Sequence, residues 1–491
     1  MQTPLRSLLR GIRDARIEGD AQTLISSIVT DSRRAQAGAL FVCLPGTRDD
    51  GHGHVRDALG RGASAIVAER EVEVPAGTPV VRVPDALTAL SPISAELNGR
   101  PSDSLTCVGI TGTNGKTTTS HLLQAVTRAA GMRFGLIGTL GSRLDGDSYE
   151  PLEYTTPSAP QLQRLLGQFR DAGAHGAIVE VSSHALALHR VDDVDFDVAI
   201  LTNVTHDHLD FHGDFERYRA AKATLFAATA SGRRKPAGTC VFNADDETGR
   251  AIAAATERKL TYSVNAPDAI LFADDISERP QGSTFSVKAL RPAPFQVRLP
   301  GSFNVANALA AIAGGCALDI DVEAIAEGIA SVSEVPGRMS AVGGGPFPVY
   351  VDYAHTPDGL RRALAAVRPL AAGRVICVFG CGGDRDAAKR PQMGRIAGEL
   401  ADLAIVTNDN PRFENPDRII EQIVEGAQGL RARLISQPDR AAAIELAVSQ
   451  ARPGDVVLIA GKGHESHQSV RGQCIPCSDV ALAQVAIRRR R

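Results

Sequence analysis

Residues 109–119 read Gly-Ile-Thr-Gly-Thr-Asn-Gly-Lys-Thr-Thr-Thr, a glycine-rich loop set between an apolar stretch, Leu105 to Ile110, and a helical pattern that begins near Thr117. Strand, small-residue turn and helix in that order commit this part of the chain to a sheet with helices packed on it. Small residues expose backbone N–H groups that can wrap phosphate oxygens, Lys116 supplies a point charge for the β- and γ-phosphates of a nucleoside triphosphate, and the Thr117 hydroxyl can reach Mg2+. The spacing departs from the general pattern Gly-x4-Gly-Lys-Thr, which would put a glycine at Ile110; glycines stand at 109 and 112 instead. A turn that merely happens to carry Lys-Thr is the weaker alternative, because Gly-Lys-Thr lies here between strand and helix.

At 491 residues the chain exceeds one ordinary domain, and its texture divides into three. Residues 1–103 hold short apolar runs (39–44, 63–68, 80–83) and end in a linker, Asn98-Gly99-Arg100-Pro101. Residues 104–335 start with the phosphate loop and alternate strands (134–139, 176–181, 198–203, 239–243) with helices (117–130, 159–172, 215–228). After Val335-Pro336-Gly337-Arg338 the rhythm restarts through residue 491, with strands at 349–353, 374–379, 403–407 and 456–460 and helices at 357–370, 391–401, 416–428 and 440–450. The expected fold class is therefore α/β in three domains: an N-terminal α/β domain, a central P-loop ATPase-like domain with a mostly parallel sheet, and a C-terminal Rossmann-like domain. Within the last, Arg385 stands where the third glycine of a dinucleotide fingerprint belongs (Gly380-Cys381-Gly382-Gly383-Asp384-Arg385), which argues against a nicotinamide reductase.

Net charge of −3 gives no electrostatic footprint for nucleic acid. No run reaches the ~18 apolar residues of a spanning helix and the N-terminus lacks a signal-peptide core, so a cytoplasmic protein without membrane insertion is expected. Trp is absent, and cores must be built from Ala, Val, Leu and Ile. The eight cysteines read as reduced thiols. His464-x2-His467 followed by Cys474-x2-Cys477 has ligand types that a zinc site could use, but a lone Cys-x2-Cys near an apolar terminus is often structural.

Two strand ends carry polar clusters: Glu180 before Ser182-Ser183-His184, and Asn203-Val204-Thr205-His206-Asp207-His208-Leu209-Asp210. Ligands gather at the carboxyl ends of parallel strands, so Glu180, His208 and Thr117 can converge around a triphosphate and Mg2+, although His is an unusual ligand for so hard an ion. The alternative is that these residues satisfy local backbone. Lys222 sits in a helical pattern, where a lysine is ordinarily exposed and inert.

A longer series then emerges: Thr113-Asn114-Gly115-Lys116-Thr117-Thr118, Glu180-Val181-Ser182-Ser183-His184, the 203–208 run, Gly301-Ser302-Phe303-Asn304-Val305-Ala306-Asn307, Pro336-Gly337-Arg338 and Asp352-Tyr353-Ala354-His355-Thr356-Pro357. In this order the motifs resemble the Mur ligases, ATP-dependent enzymes that add amino acids to the peptide of the bacterial cell-wall precursor. The resemblance runs from about Thr30 to Glu465. It implies ATP and two Mg2+ ions, with Gly112, Thr113, Asn114, Gly115, Lys116, Thr117 and Thr118 around the phosphates and Asn304, Arg338 and Asp352 positioning ATP. Thr117, Glu180 and His208 resemble the metal ligands. Lys222 resembles a lysine that reacts with CO2 to become a carbamate, turning an ammonium into an anionic oxygen ligand; with Lys116, Glu180 and His208 it makes up the implied catalytic set.

Within the family, Gly382-Gly383-Asp384-Arg385, Asp409-Asn410-Pro411-Arg412 and Gly461-Lys462-Gly463-His464-Glu465 resemble the members that add meso-diaminopimelate. Arg385 and Arg412, with Asp409, Asn410 and Pro411, resemble the residues on the distal carboxylate; Gly461 and Glu465 resemble those at the amino-bearing end. A guanidinium grips a carboxylate bidentately, and L-lysine offers none at that end. Thr30, Ser32, Thr47, Arg48 and Asp49 resemble uridine-nucleotide contacts, which makes residues 1–103 a UDP-sugar-binding domain, and Thr155, Thr156, Ser182 and Arg190 resemble contacts to the muramoyl dipeptide. Tyr154 stands where many relatives have Asn, and Leu188 where some have Gln. The implied reaction joins meso-diaminopimelate to the D-glutamate γ-carboxylate of UDP-MurNAc-L-Ala-D-Glu through an acyl phosphate, in a monomer with small-molecule substrates alone. The competing readings are a lysine-adding or folylpolyglutamate-type relative, a P-loop NTPase switch, and a non-catalytic binding protein on the same fold.

Overall fold

Three sheets organise the chain, and the computed structural model describes residues 2–46, 49–290 and 294–490 of it. The first sheet runs in the order Arg16–Glu18, Val80–Arg82, Ala63–Ala68, Ala39–Val42, Ser27–Val29, parallel except for its first pair. The second has ten strands. Its parallel body is Phe134–Gly138, Gly176–Glu180, Thr106–Thr111, Val198–Leu201, Thr239–Asn243, Lys259–Ser263 and Leu271–Arg279. Antiparallel strands close both edges: Gly141–Leu144 on one, Gly282–Val287 and Phe295–Val297 on the other. The third sheet, Ser340–Val342, Val349–Asp352, Val456–Ala460, Val375–Phe379, Leu403–Val406, Arg433–Ser436, is again parallel after an antiparallel first pair.

The parallel strands are apolar throughout because both faces are covered. In the central sheet Val108, Ile110, Ile178 and Ile200 pack on one side against Leu122, Val126, Leu309 and Ile312. Cys107, Val179, Ala199 and Leu201 face Leu162, Leu166, Leu225 and Phe226 on the other. Each such aliphatic side chain contributes roughly 1.5–3 kcal/mol on burial. Helix starts follow from caps: the Asp214, Thr356, Asp439 and Ser478 side chains accept from the first-turn N–H groups of Phe215–Ser231, Pro357–Val367, Arg440–Gln450 and Asp479–Arg489. The helix expected to end at 370 stops at Val367 and passes into a 3-10 turn holding Pro369, whose ring cannot continue the ladder.

The phosphate-loop strand stands between Gly176–Glu180 and Val198–Leu201, with Glu180 beside Ile110 and Leu201 beside Thr111. The carboxyl ends of three adjacent strands thus open at one level, and this positions the site. Among the described residues no helix is long and apolar enough to cross a membrane. All eight cysteines are free thiols.

Candidate active site

The off-pattern glycine spacing has a simple cause. Ile110 is buried in the sheet and Gly109 packs under Phe196, so both belong to the strand; the loop proper is only Gly112 to Gly115. Gly112 (φ +149°) leaves no room for a Cβ, which would meet the Thr202 hydroxyl and the Asn203 backbone, and Gly115 (φ +88°) would meet the Asn307 amide. Asn203 pins the loop from the neighbouring strand. Its side chain accepts from the Asn114 N–H at 3.0 Å and donates to the Asn114 carbonyl at 3.0 Å, while its carbonyl accepts from Thr113 N at 2.7 Å. Helix Lys116–Ala129 starts at Gly115 with no side-chain cap, which leaves first-turn N–H groups for an anion. Lys116 curls over this loop, donating to the carbonyls of Gly112 (2.7 Å) and Thr113 (3.0 Å), and burial lowers its pKa.

Glu180 lies beneath the loop, fully buried. It accepts from the hydroxyls of Thr117 and Thr139, each at 2.9 Å, and from Ser120 at 3.3 Å, and no cationic side chain forms an ion pair with it among the described residues. A buried carboxylate without a counter-cation is costly, so a hard cation bound by this oxygen and the Thr117 hydroxyl fits the residues present. Among the described residues no three His, Cys, Asp or Glu side chains are grouped to hold a metal by themselves, so hydroxyl and phosphate oxygens have to complete such a site. His208 sits at φ +55°, where its ring reaches Asp207 at 3.3 Å and meets His184 edge-on at 4.7 Å between centroids; burial pushes its pKa down to about 3, which keeps the imidazole neutral. Lys222, read from sequence as ordinarily exposed, is 1% exposed. Its ammonium donates to the Gly112 carbonyl at 3.1 Å and lies 4.7 Å from the Tyr218 ring, and burial, reinforced by Lys116, holds its pKa well below the usual lysine range.

A cleft of about 490 Å³ opens above this group, between the central and C-terminal sheets. The loop residues Thr113 to Thr118 line it, as do Thr155, Ser182, Arg190, His208, Arg338 and Asp352. Arg338 crosses the boundary to donate to the Thr117 hydroxyl at 2.9 Å, and Asp352 accepts from the N–H groups of Met339 and Ala354 at 2.8 Å. Six candidates of the central and C-terminal domains are buried and do not line the cleft: Gly112, Thr156, Glu180, Lys222, Asn304 and Pro411. Asn304 reaches it through Asn307, whose amide donates to Asn304 at 2.9 Å. Thr156 is buried, its hydroxyl donating to the Glu180 carbonyl at 2.7 Å and its carbonyl accepting from Arg190 at 2.9 Å, so it holds the wall in place. Tyr154 lies 51% exposed beneath the Arg190 guanidinium, 4.9 Å from ring centroid to charge. Asn203, Asn307, His355, Asp358 and Lys389, to which sequence reasoning assigned no role, join the site; their signal is long-range pairing, as in the 2.9 Å bond from Asn114 to Asp358.

The C-terminal end of the cleft is cationic. Arg385 and Arg412 line it, and neither makes an ion pair among the described residues. Arg412 occupies a left-handed conformation (φ +52°) that its backbone bonds over-determine: its N–H donates to Ser469 at 2.9 Å and its carbonyl accepts from Arg471 at 2.6 Å. Its side chain donates to the Gly383 carbonyl at 2.7 Å, and burial together with Arg385 lowers its pKa. Beneath, Arg390 (1% exposed) grips both oxygens of Glu414 at 2.6 and 2.7 Å and braces the two loops that carry Arg385 and Arg412. Asn410 donates to Glu465 at 2.8 Å, Lys462 donates to both, Pro411 follows in the same segment, and Gly461 and Asp409 complete the wall; one Asp409 oxygen is buried without a hydrogen-bond partner. His464 packs 5.2 Å from the Tyr353 ring, whereas His467 and Cys474 lie on a separate hairpin, His467–Val470 with Gln473–Pro476.

Thr30, Ser32 and Asp49 lie outside this cleft on the first sheet's loops. Thr30 is exposed, Ser32 is buried beside Asp57, and Asp49 pairs with His54 at 2.8 Å. Thr47 and Arg48 fall outside the described residues.

Three family models match this chain: "Mur ligase family, catalytic domain" over residues 24–96, "Mur ligase middle domain" over 110–315 and "Mur ligase, glutamate ligase domain" over 337–463. It is 46% identical to the UDP-N-acetylmuramoyl-L-alanyl-D-glutamate--2,6-diaminopimelate ligase of Gloeobacter violaceus, over 95% of this chain and 94% of that protein. It is 44% identical to the protein of the same name from Bacillus licheniformis, over 94% of each. A solved structure of a ligase of that name superposes with a TM-score of 0.68 at 30% identity, covering 100% of this chain and 99% of the other. Folylpolyglutamate synthase of Mycobacterium tuberculosis shares the fold at a TM-score of 0.63 and 19% identity, over 80% of this chain and 92% of that one.

Proposed function

Since the chain belongs to the Mur ligase family, we propose that it works as an ATP-dependent ligase that joins meso-diaminopimelate to the D-glutamate γ-carboxylate of UDP-MurNAc-L-Ala-D-Glu, a step of cytoplasmic peptidoglycan-precursor synthesis. The observation that carries the choice of amino acid is the pair of unneutralised guanidiniums, Arg385 and Arg412, in one cleft with the phosphate loop. A substrate carboxylate satisfies them, and a lysine ammonium would be repelled.

In this reading residues 1–103 bind the uridine nucleotide through Thr30, Ser32 and the 47–49 segment, residues 104–335 bind ATP, and residues 336–491 bind the amino acid. Thr155, Ser182 and Arg190 hold the dipeptide against the wall that Thr156 supports. Thr117, Glu180 and His208 would hold Mg2+ with the triphosphate, where it would supply positive charge between the phosphates and the incoming carboxylate. The Lys222 side chain, whose burial favours the neutral amine, has the character needed to take up CO2 as a carbamate, which would supply a second anionic ligand. The enzyme acts as a monomer on small molecules.

Two anions must meet for the first step, so alignment and charge neutralisation do the catalysis. A γ-carboxylate oxygen bonds to the γ-phosphorus as the bond to the β–γ bridging oxygen breaks and its electron pair leaves with ADP. The diaminopimelate amine then adds to the acyl carbon, loses a proton, and expels phosphate. Lys116 lies where it neutralises the phosphates, and no side-chain nucleophile is required. Phosphate release measured with UDP-MurNAc-L-Ala-D-Glu, ATP and Mg2+ tests the reading: turnover should require meso-diaminopimelate. Equal turnover with L-lysine would remove the specificity, and equal turnover with no acceptor would make the protein an NTPase switch.

A further inference from the structure

We propose that Lys389 is a further catalytic residue, whose ammonium, carried by the C-terminal domain, meets the phosphoryl group in transit from the side facing Lys116. The inference rests on the acyl-phosphate reading above. Lys389 opens helix Lys389–Leu400, is 7% exposed, and still lines the cleft. Among the described residues its hydrogen bond goes to the His355 carbonyl at 2.9 Å and it makes no ion pair, which leaves two of its three donors for something else. A buried ammonium with no ion-pair partner is expensive, so the position suits an anion that arrives with substrate.

Its place in the cleft identifies that anion. Arg385, four residues earlier, lines the cleft with Arg412 and the Asp409 wall, but Lys389 turns toward His355. Lys116 lines the same cleft from the central domain, so the two ammoniums enter one space from opposite domains. His355 belongs to the segment that carries Asp352, and Asp386, one turn before Lys389, reaches His206 at 3.5 Å in the central domain. These contacts set Lys389 at the phosphate end. As the carboxylate oxygen–phosphorus bond forms and the bond to ADP breaks, charge spreads over the non-bridging oxygens. Lys389 donates to one of them and remains protonated throughout; the later loss of a proton from the amine does not involve it.

The test compares the unmodified enzyme with Lys389→Met and Lys389→Arg. In Lys389→Met, kcat is expected to fall at least about 100-fold while KM for ATP and for meso-diaminopimelate stay within about threefold, the signature of an interaction made only in the transition state. Hydroxylamine trapping of the acyl phosphate, without acceptor, should fall in parallel. Lys389→Arg, which keeps the charge in an altered position, should recover part of the loss with unchanged KM values, and it decides the matter if the Met variant does not fold. A raised KM for diaminopimelate with undiminished trapping would make Lys389 an amino-acid anchor and overturn the proposal. So would unchanged kcat, or an equal kcat loss in both variants accompanied by a lowered Tm. Failure of the unmodified enzyme to turn over with meso-diaminopimelate would strike the underlying reading instead.

Discussion

Arg412 and His121 show how a single side chain is made to count. If Arg412 binds the amino acid as proposed, truncating it to Ala removes charge-assisted bonds worth about 2 kcal/mol, and KM for diaminopimelate should rise roughly thirtyfold while KM for ATP stays unchanged. The reverse pattern in steady-state kinetics would relocate the amino-acid site. His121 sits on the phosphate-loop helix, 7% exposed, with Nδ1 against the Thr117 carbonyl at 2.7 Å and Nε2 on the Tyr149 hydroxyl. Burial pushes its pKa down from 6.5 to about 4, so the folded protein holds it neutral. As pH falls below 6.5 the unfolded chain takes up a proton that the folded chain refuses, and stability drains away down to about pH 4, by on the order of 3 kcal/mol for this residue. Urea melts between pH 7 and 4.5 should therefore show a shallower loss for His121→Gln than for the unmodified protein. At this scale the sequence disclosed chemistry only where residue types cluster locally, as in the phosphate loop and the Asp-Asn-Pro-Arg segment. Lys222 and Lys389 look like surface lysines from their neighbours in sequence, and their burial comes from elements more than 30 residues away that no local pattern announces.

Among elements, the turn between strand Thr106–Thr111 and helix Lys116–Ala129 is the least forgiving. Gly112→Ala would force a Cβ into Thr202 and Asn203 at a φ that L-residues avoid, at a cost of about 1–3 kcal/mol, and would tilt the N–H groups off the phosphates. Isothermal titration with an ATP analogue should show weakened binding. Gly131→Ala, at φ +73° but with open space around its Cβ, should lower Tm slightly and leave that affinity alone. The fully buried parallel strands were legible because double-sided burial makes unbroken apolar runs, whereas the parallel strands Lys259–Ser263 and Arg433–Ser436, only partly buried, gave no such run. Strand Leu271–Arg279, parallel to one neighbour and antiparallel to the other, and the antiparallel strands Gly282–Val287 and Phe295–Val297 were not legible either. Residues 274–279 are exposed and, apart from Ile276, polar, so that segment lacks the apolar signal of the parallel strands. The hairpin His467–Val470 with Gln473–Pro476 is likewise largely open to solvent, and its function in the fold, to seat Arg412 through Ser469 and Arg471, is invisible without the tertiary partner.

For the molecule as a whole, the central and C-terminal sheets meet through a few polar contacts, Asn114 to Asp358 at 2.9 Å, Arg338 to Thr117 at 2.9 Å and His206 to Asp386 at 3.5 Å. With the proposed triphosphate ligands on one side of that seam and the proposed amino-acid ligands on the other, substrates are expected to draw the domains together. Small-angle scattering should register a smaller radius of gyration with an ATP analogue and both substrates; superimposable curves would count against closure. The alternation of elements announced mostly parallel sheets covered by helices, but nothing local told the order of the strands in each sheet or which loops face each other across the seam. One consequence of the cleft's make-up is optical. The chain has no Trp and six Tyr, and two of these, Tyr154 under Arg190 and Tyr353 under Arg338, stand in the cleft wall. Tyrosine emission, usually lost beneath indole fluorescence, is here an intrinsic readout from inside the reaction chamber, and ligand entry can be followed in real time on the unlabelled protein.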